Sequence, residues 1–374
     1  MRISFLTMQI NKGALVNVNK RFASRLLQRG DAVDFVSASA ISDDDRVGIS
    51  EHINLMSLNT ERARTIFFKV LQYLRRSRPD VLLVSGYMLS IITIVAVQVS
   101  GLRTRVITRS HEVTSAYLAS RRTTFDRYVL KYVMKLMYPL ATSSLAVSNA
   151  AARDLEQVLS WAEDSVVTLY NPIVRDEIVN LSEEPCAHPW IIEKDIPVVL
   201  GIGRLEKEKD FYTLLKAMYL VNKSRPVRLI MLGEGSLEME LRREVSSLHL
   251  CDQVDFAGFQ RNPYSFISQS DALIVTSTRE GLSNVIVEAL SLSCPVVSTD
   301  CPGGPREILL DGKCGILVPV GDAQAVAGAI VRTLDNRDLT RERVAAGQMR
   351  SQDFDIDVVW SSFTSEALGE RSKP

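Results

Sequence analysis

The feature that most constrains the fold is a regular alternation of short apolar runs with longer amphipathic segments along the chain. The apolar runs suit strands that are buried on both faces, and the segments between them have the periodicity of helices. Parallel strands need such crossover helices to connect them. The sequence therefore predicts an α/β protein with two doubly wound parallel sheets, and 374 residues are ample for two such domains.

A segment rich in proline and acidic residues interrupts this alternation at residues 176–197. It has little periodicity, which is typical of a linker. We therefore predict a Rossmann-like N-terminal domain over residues 1–175, which a C-terminal helix at residues 352–374 joins. The second domain is predicted over residues 198–351.

The uncharged stretch Val81–Leu102 is long enough to raise the alternative of a membrane-spanning helix. Two breaks, Ser85-Gly86 and Ser100-Gly101, divide it into a strand and a helix, and another strand follows at Arg105–Thr108. Because this is the rhythm of the surrounding sequence, we expect a buried helix of the sheet domain.

Charge is distributed unevenly, although the formal net charge is zero. Residues 1–150 carry about +11 and the remainder about −11. Two basic helices are predicted, at about Glu61–Arg76 and at Arg121–Lys135, and the second is interleaved with aromatic residues. Such a helix can lie on an anionic membrane surface. Two packed halves of opposite charge, or basic helix faces in water, explain the pattern equally well.

Other classes of function find little support in the sequence. The five cysteines and four histidines are scattered without the spacing of a zinc site, which suits a reducing cytosol, and no metal is expected. Asp43-Asp44-Asp45 is expected to be a solvated loop. No signal peptide is evident, so a cytoplasmic location is predicted. The basic helices lack a helix-turn-helix or zinc pattern, so no nucleic-acid partner is expected.

One stretch combines the elements of an anion site. A predicted strand, Ala272–Val275, is followed by Glu280-Gly281 and by an apolar helix at Asn284–Leu292, with Ser283 placed to cap the helix. Glu288 is the only charge in this helix. A helix N-terminus beside a glycine turn suits an anionic ligand, and the two glutamates could accept hydrogen bonds from its hydroxyl groups. An ordinary strand-to-helix turn explains the stretch equally well.

Further polar residues follow other predicted strands, where ligands bind in open α/β sheets. Arg204 and Lys209 follow the first strand of the second domain and could neutralise a diphosphate. Glycine turns at Leu232–Gly235 and Phe256–Phe259 could admit a planar base or a phosphate. His111 ends a strand of the first domain. In each case the alternative interpretation is that these are solvated loop residues without a role in ligand binding.

Taken in order, these motifs resemble the retaining GT-B glycosyltransferases of family 4, densely over Val198–Leu334. The matching motifs include those just described and several that lie between and beyond them: Gly203-Arg204-Leu205, Lys209-Asp210-Phe211, Leu232–Gly235, Val254–Phe259, Ser277–Gly281, Glu288-Ala289, Pro295–Thr299, Gly304–Ile308 and Gly315–Pro319. The first domain matches more thinly, at Ala146–Ser148 and Tyr170–Pro172.

The resemblance implies a role for each candidate residue. Arg204 and Lys209 would hold the diphosphate of a nucleotide sugar, Glu288 its ribose and Glu280 the sugar hydroxyls, while His111 would face the donor sugar across a cleft. Donor contacts are further expected from Phe259, from Gly13 and from a set of backbone amides. These amides belong to Gly281, Leu282, Ser283, Asn284 and Val285. The N-terminal loop departs from the family, because Asn11-Lys12 precede Gly13-Ala14.

The implied reaction moves a sugar from a nucleoside diphosphate sugar, taken here as a UDP-sugar, to a saccharide by front-face attack. It needs no metal and no cofactor besides the donor. The form Gly303–Glu307 looks like enzymes that extend bacterial surface polysaccharides or lipopolysaccharide, so a lipid-linked acceptor at the inner membrane surface is expected. The alternatives are a nucleotide-sugar epimerase and a non-catalytic saccharide-binding relative.

Overall fold

The computed structural model describes residues 1–10, 13–60, 62–121 and 123–369. They form two compact units, one of Met1–Pro172 with the C-terminal segment from Ile356, the other of Ile173–Asp355. Each unit contains a parallel sheet flanked by helices, so the predicted α/β class with two doubly wound sheets is confirmed. Some residues named above lie outside the described residues. They are Asn11, Lys12, Glu61, Arg122 and residues 370–374.

The sheet of unit 1 has seven strands among the described residues. They are β1 (Arg2–Thr7), β2 (Ala32–Ser37), β3 (Ile53–Ser57), β4 (Val81–Ser85), β5 (Arg105–Ser110), β6 (Ser143–Ala146) and β7 (Val167–Thr168). Their order is β3-β2-β1-β4-β5-β6-β7, and all neighbours are parallel. Every residue of β4 is buried because both faces of the sheet are covered. The order reverses between β1 and β4, which is where such sheets bind ligands.

Helices cover both faces of this sheet. They are α1 (Ala14–Gln28), α2 (Asp43–Arg46), α3 (Ala63–Ser77), α4 (Tyr87–Ser100), α5 (Thr114–Ala119), α6 (Thr124–Met137) and α7 (Asn149–Leu159). Two left-handed glycines, Gly86 and Gly101, flank α4 and separate it from the strands on either side, as predicted. No helix within the described ranges combines the length and the apolarity that a membrane crossing requires. Asp43-Asp44-Asp45 was expected in a loop but begins the single turn α2.

The described part of unit 2 contains a six-stranded parallel sheet. Its strands are β8 (Val198–Ile202), β9 (Arg228–Leu232), β10 (Val254–Gly258), β11 (Ala272–Val275), β12 (Val296–Thr299) and β13 (Ile316–Val318). The order β10-β9-β8-β11-β12-β13 places the reversal between β8 and β11. The loops that follow these two strands therefore leave the sheet side by side.

The segment predicted as a linker, residues 176–197, lies within unit 2 and includes helical structure. The remaining helices are α8 (Arg175–Ser182), α9 (Pro189–Ile192), α10 (Phe211–Asn222), α11 (Glu238–Ser247), α12 (Tyr264–Gln269), α13 (Asn284–Ser291), α14 (Pro305–Ile308), α15 (Ala323–Asp335), α16 (Arg337–Ser351) and α17 (Ile356–Glu366). Ile178 of α8 is fully buried, and Asn262 Nδ2 donates to the Leu181 carbonyl oxygen at 2.7 Å. The last helix, α17, returns to unit 1, where Phe363 stacks on Phe22.

Candidate active site

Two loops of unit 2 meet at the reversal of the strand order. The amide of Thr278, after β11, donates to the carbonyl oxygen of Glu208, after β8, at 2.8 Å. The hydroxyl of Thr276 donates to the carbonyl oxygen of Lys209 at 3.0 Å. These bonds fix the β8 loop against the β11 loop, so side chains that are far apart in the sequence share one site.

Lys209 and Glu280 form the centre of this site. Lys209 Nζ lies 2.5 Å from Glu280 Oε1, and the two side chains are 21% and 10% exposed. Ser277 Oγ donates to the same carboxylate oxygen at 2.7 Å. Removing a carboxylate largely from water is costly unless it has such partners. The pair can thus present an ammonium group to an anion and a carboxylate oxygen to a hydroxyl group.

Arg204 lies on the same loop but outside this pair. Its side chain is 74% exposed, and its Nη2 lies 2.7 Å from Glu208 Oε1. The main chain of Glu208 accepts the Thr278 hydrogen bond described above. The loop after β8 thus carries one enclosed cation, Lys209, and two exposed ones, Arg204 and Lys207.

The turn between β11 and α13 is strained at Ser283. This residue is the N-cap of α13, the position predicted for it, and has φ 77° and ψ 76°, but its side chain makes no capping hydrogen bond. An N-cap residue is normally extended, whereas Ser283 has a left-handed backbone. Its Oγ is buried without a partner among the described residues. Strained residues of this kind are concentrated at functional sites.

The residues around this turn form a tight backbone cradle. The amide of Glu280 donates to the carbonyl oxygen of Pro302 at 3.1 Å. A Cβ atom at Gly304 would lie 2.5 Å from the carbonyl oxygen of Leu282, so only glycine permits this approach. Glu288 is partly buried on α13, just over one helical turn beyond Ser283. Both predicted glutamates therefore belong to one turn-and-helix unit.

Glycines bring the loops after β9 and β10 to the same edge. Gly233 has φ 131°, and an added Cβ would lie 2.0 Å from the carbonyl oxygen of Gly203. Its amide donates to the carbonyl oxygen of Gly258 at 2.8 Å. Phe259, the next residue, is 51% exposed. An exposed aromatic ring thus follows β10, two strands away from β8 in the sheet.

His111 and Gly13 belong to unit 1. His111 follows β5, and its Nε2 lies 2.9 Å from Ser85 Oγ at the end of β4. Burial lowers the pKa of His111 well below its ordinary value, and the charge of Arg109 lowers it further. The imidazole is therefore neutral at neutral pH and offers one donor and one acceptor. Gly13 precedes α1 in an extended conformation, with φ −170°.

Several residues that hold the site together were not predicted from the sequence. Ser277, Thr276 and Thr278 fix Glu280 and the β8 loop, and Thr299 Oγ1 donates to the Ser277 carbonyl oxygen at 2.6 Å. The sequence feature that could have indicated them is the run of three hydroxyl residues that follows an apolar strand.

Burial and the Glu280 charge raise the pKa of Cys301 to about 12. Within the described ranges, no three metal-binding side chains cluster.

Two family models match the chain, one on each half. "Glycosyltransferase Family 4" matches residues 15–177, and "Glycosyl transferases group 1" matches residues 188–350. The second range includes Lys209, Glu280 and Glu288.

Relatives are similar over part of their length. An uncharacterized glycosyltransferase of Methanocaldococcus jannaschii is 30% identical over 256 residues, 60% of this chain and 63% of that protein. The N-acetylgalactosamine-N,N'-diacetylbacillosaminyl-diphospho-undecaprenol 4-alpha-N-acetylgalactosaminyltransferase of Campylobacter jejuni is 29% identical over 255 residues, 68% of this chain and 67% of that protein. The match thus spans somewhat under two thirds of the first relative and about two thirds of the second.

Solved structures share the architecture of the whole chain. Anabaena HepE, in a crystal structure with UDP, superposes with a TM-score of 0.80 over 99% of this chain and 100% of that chain. The sequence identity is 20%, so this likeness concerns the fold.

Proposed function

Since the chain belongs to the family 4 glycosyltransferases of the GT-B fold, we propose that it transfers a sugar from a nucleoside diphosphate sugar to a saccharide with retention of configuration. The observation that carries this proposal is the enclosed Lys209–Glu280 pair at the strand-order reversal. The ammonium group suits a diphosphate, and the neighbouring carboxylate suits the hydroxyl groups of the attached sugar.

Each candidate residue has a proposed task in donor binding. Lys209 and the exposed cation Arg204 neutralise the diphosphate. The turn before α13 and the first residues of that helix, from Gly281 to Val285, supply backbone amides to the phosphates. Glu288 accepts hydrogen bonds from the ribose, and Phe259 offers an aromatic surface to the base. Gly13 and His111 are proposed to contact the donor from unit 1.

The proposed reaction balances without a further reactant. The bond between the sugar anomeric carbon and the diphosphate oxygen breaks, and an acceptor hydroxyl attacks the same face of the sugar. The hydroxyl proton passes to the departing diphosphate oxygen. Lys209 and Arg204 stabilise the negative charge on this leaving group, so the proposal requires neither a metal nor a cofactor.

We take the donor to be a UDP-sugar and the acceptor to be a lipid-linked saccharide of bacterial polysaccharide or lipopolysaccharide synthesis. A solved structure of the same fold contains UDP, and a relative is named for a diphospho-undecaprenol-linked acceptor. Such acceptors are presented at a membrane. The proposed location is therefore the cytoplasm, with the chain bound peripherally to the inner face of the membrane.

The test is a panel of UDP-, GDP- and ADP-sugars, each incubated with and without an undecaprenyl-diphosphate-linked saccharide. We expect release of UDP that depends on the acceptor, and loss of this release in Lys209→Ala. Lys216→Ala, an exposed lysine of α10 outside the site, is the matched control and should keep wild-type rates. Conversion of the donor to an epimer without acceptor would replace the proposal with an epimerase. Donor binding without any release would indicate a non-catalytic relative.

A further inference from the structure

Helix α6 carries apolar residues on two opposite faces. Leu130 and Met134 are buried in the core of unit 1. The other face, here called the α6 outer face, points to solvent and consists of five residues. They are Phe125 (75% exposed), Tyr128 (67%), Val129 (44%), Tyr132 (65%) and Leu136 (49%).

The spacing of the α6 outer face is that of one continuous helical stripe. Phe125, Val129 and Tyr132 and then Leu136 are three or four residues apart, as are Phe125, Tyr128 and Tyr132, so these side chains are neighbours along the helix surface. A surface helix normally has polar residues opposite its buried face. Three adjacent aromatic rings in water instead mark an interaction site.

Positive charge borders this stripe. At 100° per residue, Lys131 and Lys135 lie beside Tyr128 on one side of the α6 outer face. Asp126 is the one acidic residue between Thr124 and Met137. The partner that this surface fits is therefore apolar at its centre and negatively charged at its border.

The basic helix α3 adds to the same side of unit 1. Helix α4 packs against both α3 and α6, so the three helices cover one face of the sheet. On α3, Arg64, Lys69, Arg75 and Arg76 are exposed. Part of the excess of about +11 in residues 1–150 is thus displayed on helices that cover the same face of the sheet as α6.

We propose that the α6 outer face docks this chain on an anionic lipid bilayer. The rings of Phe125, Tyr128 and Tyr132 enter the interface between headgroups and acyl chains, where amphipathic aromatic side chains are favoured. Lys131 and Lys135 contact the phosphates of the headgroups. An extended anionic surface is favoured over a protein partner, because Lys131, Lys135 and the exposed basic residues of α3 lie on helices that cover the same face of the sheet.

This inference rests on the proposed function in one respect, that the chain works at a membrane. Membrane binding can be measured without assaying sugar transfer. Co-sedimentation at low salt compares vesicles of phosphatidylglycerol and phosphatidylethanolamine with vesicles of phosphatidylcholine. The wild type should bind the anionic vesicles and lose binding as salt screens the charges. The triple variant Phe125→Ser, Tyr128→Ser, Tyr132→Ser should bind at least ~10-fold more weakly.

Three further variants separate docking from damage to the fold. Lys131→Glu with Lys135→Glu should weaken binding by more than about 5-fold per lysine, the fold-change of about 1 kcal/mol per basic residue near an anionic surface. Leucine at the three aromatic positions should keep most of the binding. Met239→Ser with Met349→Ser, which removes exposed apolar side chains of unit 2, is the matched control and should bind as the wild type does.

Equal binding of the serine variant and the wild type to anionic vesicles would overturn the inference. So would a wild-type dimer in light scattering that the serine variant converts to a monomer while vesicle binding stays unchanged, because the stripe would then be a contact between copies. Transfer to a water-soluble acceptor should be equal in the wild type and all α6 variants. Absence of transfer in every one of them would defeat the proposed function and leave the docking result intact.

Discussion

Replacing Glu280 by glutamine should affect turnover and nucleotide binding in opposite directions. The carboxylate lies 2.5 Å from Lys209 Nζ. When no nucleotide sugar is bound, Glu280 therefore pairs with the ammonium group that we assign to the diphosphate. Glutamine keeps the shape of the side chain but removes its charge. Binding of UDP should therefore become tighter or stay unchanged, with a gain of up to about 1 kcal/mol, or about 5-fold in Kd.

Turnover should fall, because the carboxylate that orients the sugar is lost. We expect a reduction of about 100- to 1000-fold in kcat, which corresponds to about 3–4 kcal/mol of transition-state stabilisation. The folded state should lose about 1–3 kcal/mol, because the partly buried Lys209 is left without its carboxylate partner. Lys209→Ala should instead weaken both UDP binding and turnover, since it removes the cation itself.

Calorimetric titration with UDP, steady-state rates of UDP release and thermal unfolding measure the three quantities separately. Glu342→Gln, an exposed glutamate of α16, is the matched control and should change none of them. A Glu280→Gln enzyme with wild-type kcat would refute the assigned role of this carboxylate. Weaker UDP binding in the same variant would refute the competition between Glu280 and phosphate for Lys209.

Three further predictions concern the surroundings of the site. Gly233→Ala should lower Tm and weaken UDP binding, because its Cβ would lie 2.0 Å from a carbonyl oxygen, whereas Gly321→Ala, also at a positive φ but in open space, should cost only about 1 kcal/mol in thermal unfolding. The lowered pKa of His111 means that the unfolded chain binds the proton more readily. The wild type should thus lose stability as the pH falls below about 6.5, by at most about 1.4 kcal/mol per pH unit, and His111→Gln should show a flatter profile in denaturant titrations. Iodoacetamide near pH 8 should label the exposed Cys251 and spare Cys301, whose pKa is raised to about 12, as peptide mass spectrometry would show; labelling of Cys301 would contradict its burial.

The strands of unit 2 could be placed from the sequence because each is an apolar run that ends in a glycine or polar turn. Ala272–Val275 is an example, and its predicted bounds are those of β11. Strand order could not be predicted, because it depends on contacts between distant segments. The position of the reversal between β8 and β11, which brings Lys209 to Glu280, comes from the structure alone.

Local backbone conformation was the other feature that could not be predicted from the sequence. Ser283 has the residue type and the position of a helix N-cap, but its side chain makes no capping hydrogen bond, which the sequence does not reveal. Helix α16 escaped prediction because Arg337–Ser351 is mostly polar, with Gly347 and Ser351 as its buried residues. The motifs that carry the resemblance do not depend on such details of backbone conformation, because they consist of the residue types that follow each strand.

The most direct test of the assigned site is a crystal structure of the chain with UDP bound. We predict Lys209 Nζ within hydrogen-bonding distance of the diphosphate, Glu288 on the ribose hydroxyls and the backbone amides from Gly281 to Val285 on phosphate oxygens. A diphosphate bound away from the carboxyl ends of β8 and β11 would contradict it.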